Sequence, residues 1–111
     1  MKNSEVWLVD FSPKIGKEID KVRPAIIVNH DSIGVLPLKI VVPLTHARTS
    51  VQHWHVLLTE TSANGLSKNS IADCFQVKSV SERRFVKKIG KLSELEMNEV
   101  KLGLVKVLGL V

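Results

Sequence analysis

At 111 residues and 12.4 kDa the chain has room for one compact domain, spanning 1–111, and its 44% hydrophobic and 24% charged content is that of a folded globule rather than a disordered chain. A single cysteine, Cys74, excludes an intrachain disulfide and a C-x-x-C metal knuckle; no apolar run approaches the roughly 20 residues of a membrane span; and the charged opening M-K-N-S-E-V-W-L-V-D lacks the apolar core of a signal peptide, so a reducing, cytoplasmic setting is expected. The formal charge of +5 and isoelectric point near 9.6 favour a polyanionic partner, nucleic acid first.

In chain order, Glu5 to Phe11 reads as a short aromatic and β-branched strand ended by Pro13. A long polar connection, Asp10 to Pro24, carries Gly16 and four basic residues, Lys14, Lys17, Lys21 and Arg23. Ala25 to Val28 is a continuous apolar run, as in a strand buried on both faces. Lys39 to Val42 runs on through Pro43 and Leu44 to Thr45, and Val51 to Thr59 supplies another strand. Asn64-Gly65 marks a turn, since both residues tolerate positive φ. Ile71 to Val80 and Arg84 to Ile89 complete the strand set. From Lys78 to Lys91 there are six basic residues against one acid, Glu82, so this segment alone carries +5 and either meets a polyanion or forms a solvated hairpin.

The C-terminus changes period. Ser93-Glu94-Leu95-Glu96 is a capping box, with Leu92 and Met97 spaced for a hydrophobic staple. Met97, Val100, Leu104, Val107 and Leu108 follow helical spacing, Gly109 is placed as a terminator, and Gly103 costs the helix interior about 1 kcal/mol relative to Ala. Short strands with turn-rich connections and no βαβ rhythm give a small antiparallel barrel or sandwich followed by a packing helix.

No P-loop, G-x-G-x-x-G, H-E-x-x-H or G-x-S-x-G occurs, which argues against nucleotide hydrolysis, dinucleotide binding and zincin chemistry. His53 and His55 share a face if their segment is a strand, but with no third ligand at an obvious spacing they give no metal site, and Cys74 in an apolar stretch reads as a core residue. Arg23 stands before Pro24, which biases it toward extended geometry at a strand start behind a basic loop. Such an arginine suits bidentate phosphate binding, or equally an ion pair with Glu18 or Asp20 that closes the loop. Thr45 at a strand end is a turn former or, if it meets Arg23 at one rim, a second phosphate ligand.

E-V-W-L-V-D-F-x-P-x-x-G-x-E-x-x-K-x-R-P-A-I-I-V at Glu5 to Val28 resembles the opening signature of the MazF/PemK-like family of bacterial toxins. The likeness continues through V-V-P-L-T at Val41 to Thr45, N-G-L-x-x-x-S at Asn64 to Ser70, Q-V-K-S-V at Gln76 to Val80, and R-F…I-G-K-L-S before the helix. It implies an SH3-like β-barrel with a C-terminal helix, usually a homodimer. It also implies a metal-independent endoribonuclease on single-stranded RNA, needing no cofactor, with an acidic antitoxin that covers the RNA groove. The family's catalytic arginine and threonine fall on Arg23 and Thr45, and its loop acid on Glu18. Lys14, Lys17 and Lys21, with Gln76 and Lys78 of the Q-V-K-S segment, are the expected RNA contacts. Many relatives carry an acid just before that glutamine, where this chain has Phe75. Asp73, on the same face if the strand is regular, is a possible substitute, with His46 and Glu18 as other possible acid/base groups. Rival readings are a non-catalytic toxin on the same barrel that inhibits DNA gyrase, and a plain RNA-binding barrel, which would want stacking aromatics.

Overall fold

The strand Leu38–His46 organises the sheet, because among the described residues it alone borders three others. In a computed structural model that describes residues 1–13, 15–19, 21–33, 36–48 and 50–110, the elements are β1 (Glu5–Asp10), β2 (Val22–Ile27), β3 (Leu38–His46), β4 (His55–Leu58), β5 (Ser70–Asp73), β6 (Lys78–Ser81), β7 (Phe85–Lys91) and α1 (Glu94–Leu108). The strand order is β4-β5-β3-β2-β1-β7, with β6 also on β3, and every pairing is antiparallel. The class is the expected one, mainly β with a C-terminal helix, although among the described residues the sheet does not close into a barrel.

The breaks in this sheet follow from two prolines. Val28 N donates to the Ile40 carbonyl at 2.9 Å and Ile40 N to Asn29 Oδ1 at 3.0 Å, whereas Ala47 N donates to the Asn69 carbonyl at 3.0 Å. Backbone groups alternate sides along a strand, so residues 40, 42 and 44 address β2, and 41, 43 and 45 address β5 and β6. Pro43 therefore lacks its N–H on the β5–β6 side. The ladder is broken there: pairing is Leu44 with Ala72, then Val41 with Lys78, so Val42 and Pro43 lie opposite the five residues Asp73 to Val77. The surplus forms a 3-10 turn, Cys74–Gln76, capped by Asp73, which accepts from Phe75 N at 3.2 Å. On the other side of β3, Ser4 N donates to the Ile27 carbonyl, so 24, 26 and 28 address β3. Pro24 would be next to pair, with Leu44, but has no donor, and the β2–β3 ladder ends at Ala25 and Pro43.

These breaks correct several sequence expectations. β2 begins at Val22 rather than Ala25, with Pro24 inside it. The segment 71–80 is not one strand, so Asp73 and Phe75 are not related by strand alternation. Val51 to Thr59 shrinks to His55–Leu58, leaving His53 in a turn off the strand face shared in the expectation with His55. The basic segment forms no hairpin either: β6 pairs with β3, and β7 with β1.

Alternation gives the sheet two apolar sides. Val6, Ile26, Val42 and Leu44 pack with Met97 and Val100 of α1, while Val9, Phe11, Ala25, Ile27, Val41 and Val80 form a second cluster. Each fully buried aliphatic or aromatic side chain contributes roughly 1.5–3 kcal/mol. The helix is capped as expected: Ser93 Oγ accepts from Glu96 N at 3.1 Å, Ser93 N donates to Glu96 Oε1 at 2.8 Å, and Gly109 takes φ +64°. Leu108, expected on the packed face, is 55% exposed. Gly103 is more than a weak helix former, since a Cβ there would stand 2.5 Å from Cys74 Sγ and 3.1 Å from the Trp54 carbonyl. The glycine lets α1 lie directly on the 3-10 turn, where the Cys74 thiol donates to the Val100 carbonyl at 3.7 Å.

Glu5 ties β1 to β7 electrostatically. Burial works against its ionised form, but donors at Trp7 Nε1 (2.9 Å) and Lys2 N (3.0 Å), with Lys88 Nζ at 3.1 Å, outweigh it and lower its pKa from an ordinary 4.5 to about 2. A depressed carboxylate stabilises the fold above its unfolded pKa and loses that contribution as pH falls toward its folded one. Glu5→Gln should therefore cost about 2–3 kcal/mol at neutral pH and flatten the loss of stability between pH 4.5 and 2. Urea unfolding of both proteins across that range checks this; an acid limb identical to wild type would show that Glu5 is not the group responsible.

Candidate RNA-binding and cleavage site

The two proline breaks open onto cavities. Where β2 and β3 part, a cavity of about 230 Å³ is lined by Arg23, Pro24, Leu44, Thr45 and His46, with Lys68 and Ser70 on its far side. Arg23 and Thr45, 22 positions apart in sequence, thus meet at one rim, and His46 joins them. Thr45 is half-buried, and among the described residues its hydroxyl makes only a 3.4 Å contact to the His46 carbonyl. Lys68 is the member of this group that sequence reading did not single out; it lies in the N-G-L-x-x-x-S segment without a pattern of its own.

The break opposite Pro43 opens two more cavities, which share Phe75 and Gln76. One, about 420 Å³, is walled by Phe11, Ile19, Pro43 and Val77 and edged by Lys17, Glu18 and Lys78. The other, about 400 Å³, is lined by Arg48, Ser50, Gln52, Trp54, His55 and Asp73. Glu18 and Asp73 therefore border different cavities from the one that Arg23 and Thr45 share. Glu18 folds back on its own loop, accepting from Ile15 N at 3.1 Å, and lies 4.0 Å from Lys78 Nζ. Lys21 is exposed with φ +65°, and Lys14 lies outside the described residues. Of the basic segment 78–91, Lys78 edges the cavity beside Phe75 and Lys91 lines a separate one at the start of α1; Arg84 donates to the Asp10 and Ser12 carbonyls and Lys88 pairs with Glu5, so much of that charge joins strands.

Asp73 is 8% exposed and fully engaged. Besides capping the 3-10 turn, its Oδ2 accepts from Gln76 Nε2 at 3.2 Å and its Oδ1 lies 3.6 Å from His55 Nε2. His55 Nδ1 accepts from Gln52 N at 3.0 Å, which leaves the ring proton on Nε2, toward the carboxylate. Gln76 then passes the constraint on, because its Oε1 accepts from Ile19 N at 2.7 Å. His55, Asp73 and Gln76 so connect β4 and the 3-10 turn to the loop that bears Lys17 and Glu18. Burial, with Asp73 adding to it, pushes the Cys74 thiol up to about 11, which disfavours the thiolate. Among the described residues no group of three or more His, Cys, Asp or Glu could hold a metal ion, and no helix is long and apolar enough to cross a membrane.

A small open antiparallel sheet with a C-terminal helix, carrying arginine, threonine and lysine side chains at breaks in its strand pairing, defines the class. The family profile described as "PemK-like, MazF-like toxin of type II toxin-antitoxin system" matches residues 2–108, and the chain belongs to this family. It is 30% identical over 106 residues to endoribonuclease MazF9 of Mycobacterium tuberculosis, covering 90% of this chain and 89% of that protein. The fold is similar to MazF of Deinococcus radiodurans, with a TM-score of 0.84 at 20% identity over 98% of this chain and 96% of that one. It is also similar to an endoribonuclease in complex with its cognate antitoxin from a mycobacterial species, with a TM-score of 0.80 at 17% identity over 100% and 97%.

The Gln76 bridge makes a direct prediction. Gln76→Leu keeps the bulk but removes the acceptor for Ile19 N, which should free the 15–19 loop by about 1–2 kcal/mol. Limited trypsin digestion of the folded protein should then cut after Lys17 or Lys21 roughly tenfold faster than in wild type. Equal rates would mean that the loop is held by other contacts.

Proposed function

We propose that this chain is the toxin of a type II toxin–antitoxin pair and cleaves single-stranded RNA as an endoribonuclease. The reading is carried by one observation: a member of the PemK/MazF-like family has Arg23 and Thr45 at the rim of one cavity. In this reading the ribose 2′-OH attacks the adjacent phosphorus. The P–O2′ bond forms, the P–O5′ bond breaks, one proton leaves the 2′ oxygen and another arrives on the departing 5′ oxygen, giving a 2′,3′-cyclic phosphate and a 5′-OH end. Arg23 stabilises charge on the phosphorane, and oriented charge is usually the largest catalytic contribution. Thr45 donates its hydroxyl hydrogen to a phosphoryl oxygen. His46, beside them, is the acid/base candidate that borders the same cavity, whereas Glu18 and Asp73 are held by other partners. Lys17, Lys21 and Lys78, with Lys14, draw the strand in electrostatically. The whole chain acts as one toxin domain, as a homodimer in the cytoplasm, without a metal.

Arg23→Ala should lower RNA cleavage on the order of a hundredfold or more with the fold intact. Thr45→Val should be impaired, while Cys74→Ser, with its thiol buried beneath α1, should cleave as wild type. Cleavage of a long unstructured RNA in EDTA, with the new ends mapped, tests all of this. Wild-type rates from Arg23→Ala, or 5′-phosphate ends, would overturn the mechanism.

The partner follows from the same charge. A disordered acidic peptide with a few apolar anchors matches both the lysines and the apolar walls at Phe11, Ile19 and Val77. Such an antitoxin should displace bound RNA, and its affinity should fall as salt rises. Titration of the adjacently encoded acidic protein against labelled, uncleavable RNA on the toxin checks this; simultaneous binding of both would rule out occlusion.

A further inference from the structure

Phe75 is the aromatic among the exposed large hydrophobic residues described. It is 66% exposed although Asp73 and Cys74 just before it are buried, and its ring lies tilted at 46° against Trp54, with centroids 5.7 Å apart. It stands at the junction of the two cavities opened opposite Pro43, lining both. An aromatic left in water forgoes the stabilisation that burial would give, and the 3-10 turn needs nothing from this side chain, because its cap uses the Phe75 backbone N–H and Asp73.

We propose that Phe75 is the stacking platform for one nucleobase of the RNA, whose polar edge enters the cavity beyond it, toward Arg48 and Gln52; this rests on the endoribonuclease reading. The chemistry of the surroundings selects that occupant. A base offers a flat π-face and an edge of donors and acceptors, and single-strand recognition combines stacking on aromatics with hydrogen bonds to that edge. The cavity beside Phe75 supplies both, since Trp54 and Phe75 form the aromatic wall and Arg48, Ser50, Gln52, His55, Asp73 and Gln76 line the remainder. An apolar peptide anchor would dehydrate the Arg48, Ser50 and Gln52 side chains without offering them partners. Cations flank the platform on either side, Arg48 in one cavity and Lys17 and Lys78 in the other, so a phosphodiester chain crossing Phe75 meets positive charge before and after the stacked base.

The test measures affinity for a labelled 2′-fluoro RNA of mixed sequence, about 16 nucleotides long, which lacks the attacking hydroxyl. Phe75→Ala and Phe75→Leu should each bind on the order of tenfold more weakly, and Phe75→Trp at least as tightly as wild type, because leucine keeps apolar area but has no π-face. The slope of affinity against salt should be the same for all four proteins, since none changes a charge. In a Trp7→Phe background, RNA should quench Trp54 fluorescence in the Phe75 protein more than in Phe75→Ala. The proposal is overturned if Phe75→Ala binds RNA as wild type does, or if Phe75→Leu matches wild type. It is also overturned if the substitution weakens only binding of the acidic antitoxin, or only self-association in sedimentation. A wild-type protein that neither binds nor cleaves RNA would sink the endoribonuclease reading itself, whereas wild-type cleavage with an indifferent Phe75 removes the platform alone.

Discussion

Two absent backbone donors shape both openings in this sheet. Pro24 and Pro43 sit in adjacent strands, and each directs its missing N–H at a place where a ladder would otherwise continue. An interior sheet tolerates a proline only where pairing is interrupted. Here the interruptions fall on opposite sides of β3, one toward β2 and one toward β5–β6. Without the first, Arg23 and Thr45 would lie on a continuous ladder with no cavity between them. Without the second, residues 74–76 would be ladder positions, and neither Phe75 nor Gln76 would stand clear of the sheet.

Opening a sheet loses backbone hydrogen bonds, and the buried groups left over must find partners elsewhere. Asp73 takes up that role at the second break: it receives Phe75 N, orients the Gln76 amide and stands beside the His55 ring. Beneath it, Gly103 allows α1 to close on Cys74 with no side chain between, so the turn is clamped from below by packing and from the side by a carboxylate. A rigid support under a turn whose outer side chain is free is the arrangement in which a binding residue can be held to a narrow geometry without itself being buried.

The helix was legible because its signals are local: the capping box and the terminal glycine act within a few residues and are both present, and the expected staple residues Leu92 and Met97 are buried in one cluster. Strand boundaries were less legible, and the reason is the prolines. Pro24 read as a residue preceding a strand and Pro43 as part of a continuing one, because the propensity of a segment carries no information about which neighbour its backbone addresses. That direction depends on register across β1, β2, β3 and β5, which is a tertiary property. The same gap hid the 3-10 turn inside 71–80, and with it the fact that Asp73 and Phe75 differ in environment. Arg23 and Thr45 could be named from sequence, but only conditionally from the residues themselves; Lys68, Arg48 and Trp54 gave no signal, since each reaches a cavity through pairing or turns far from its own neighbours.

The division of labour at the 3-10 turn also explains how a phenyl ring can stand at position 75, where the family resemblance leads to the expectation of an acid. The side chain at 75 points away from the sheet and contributes nothing to the cap, whereas those at 73 and 76 hold the turn and the loop through side-chain hydrogen bonds. Substitution at 75 is therefore nearly free of folding cost, while it decides whether a flat apolar surface or a negative charge faces an approaching polyanion. A carboxylate there would repel phosphate and offer a proton acceptor; a phenyl ring does neither and offers a face. In the proposed mechanism the acid/base group belongs to the cavity around Arg23, which has its own opening at Pro24 and shares no lining residue with the turn. Two separate breaks in one sheet thus let the cavity around Arg23 and Thr45 and the surface at Phe75 change independently of each other.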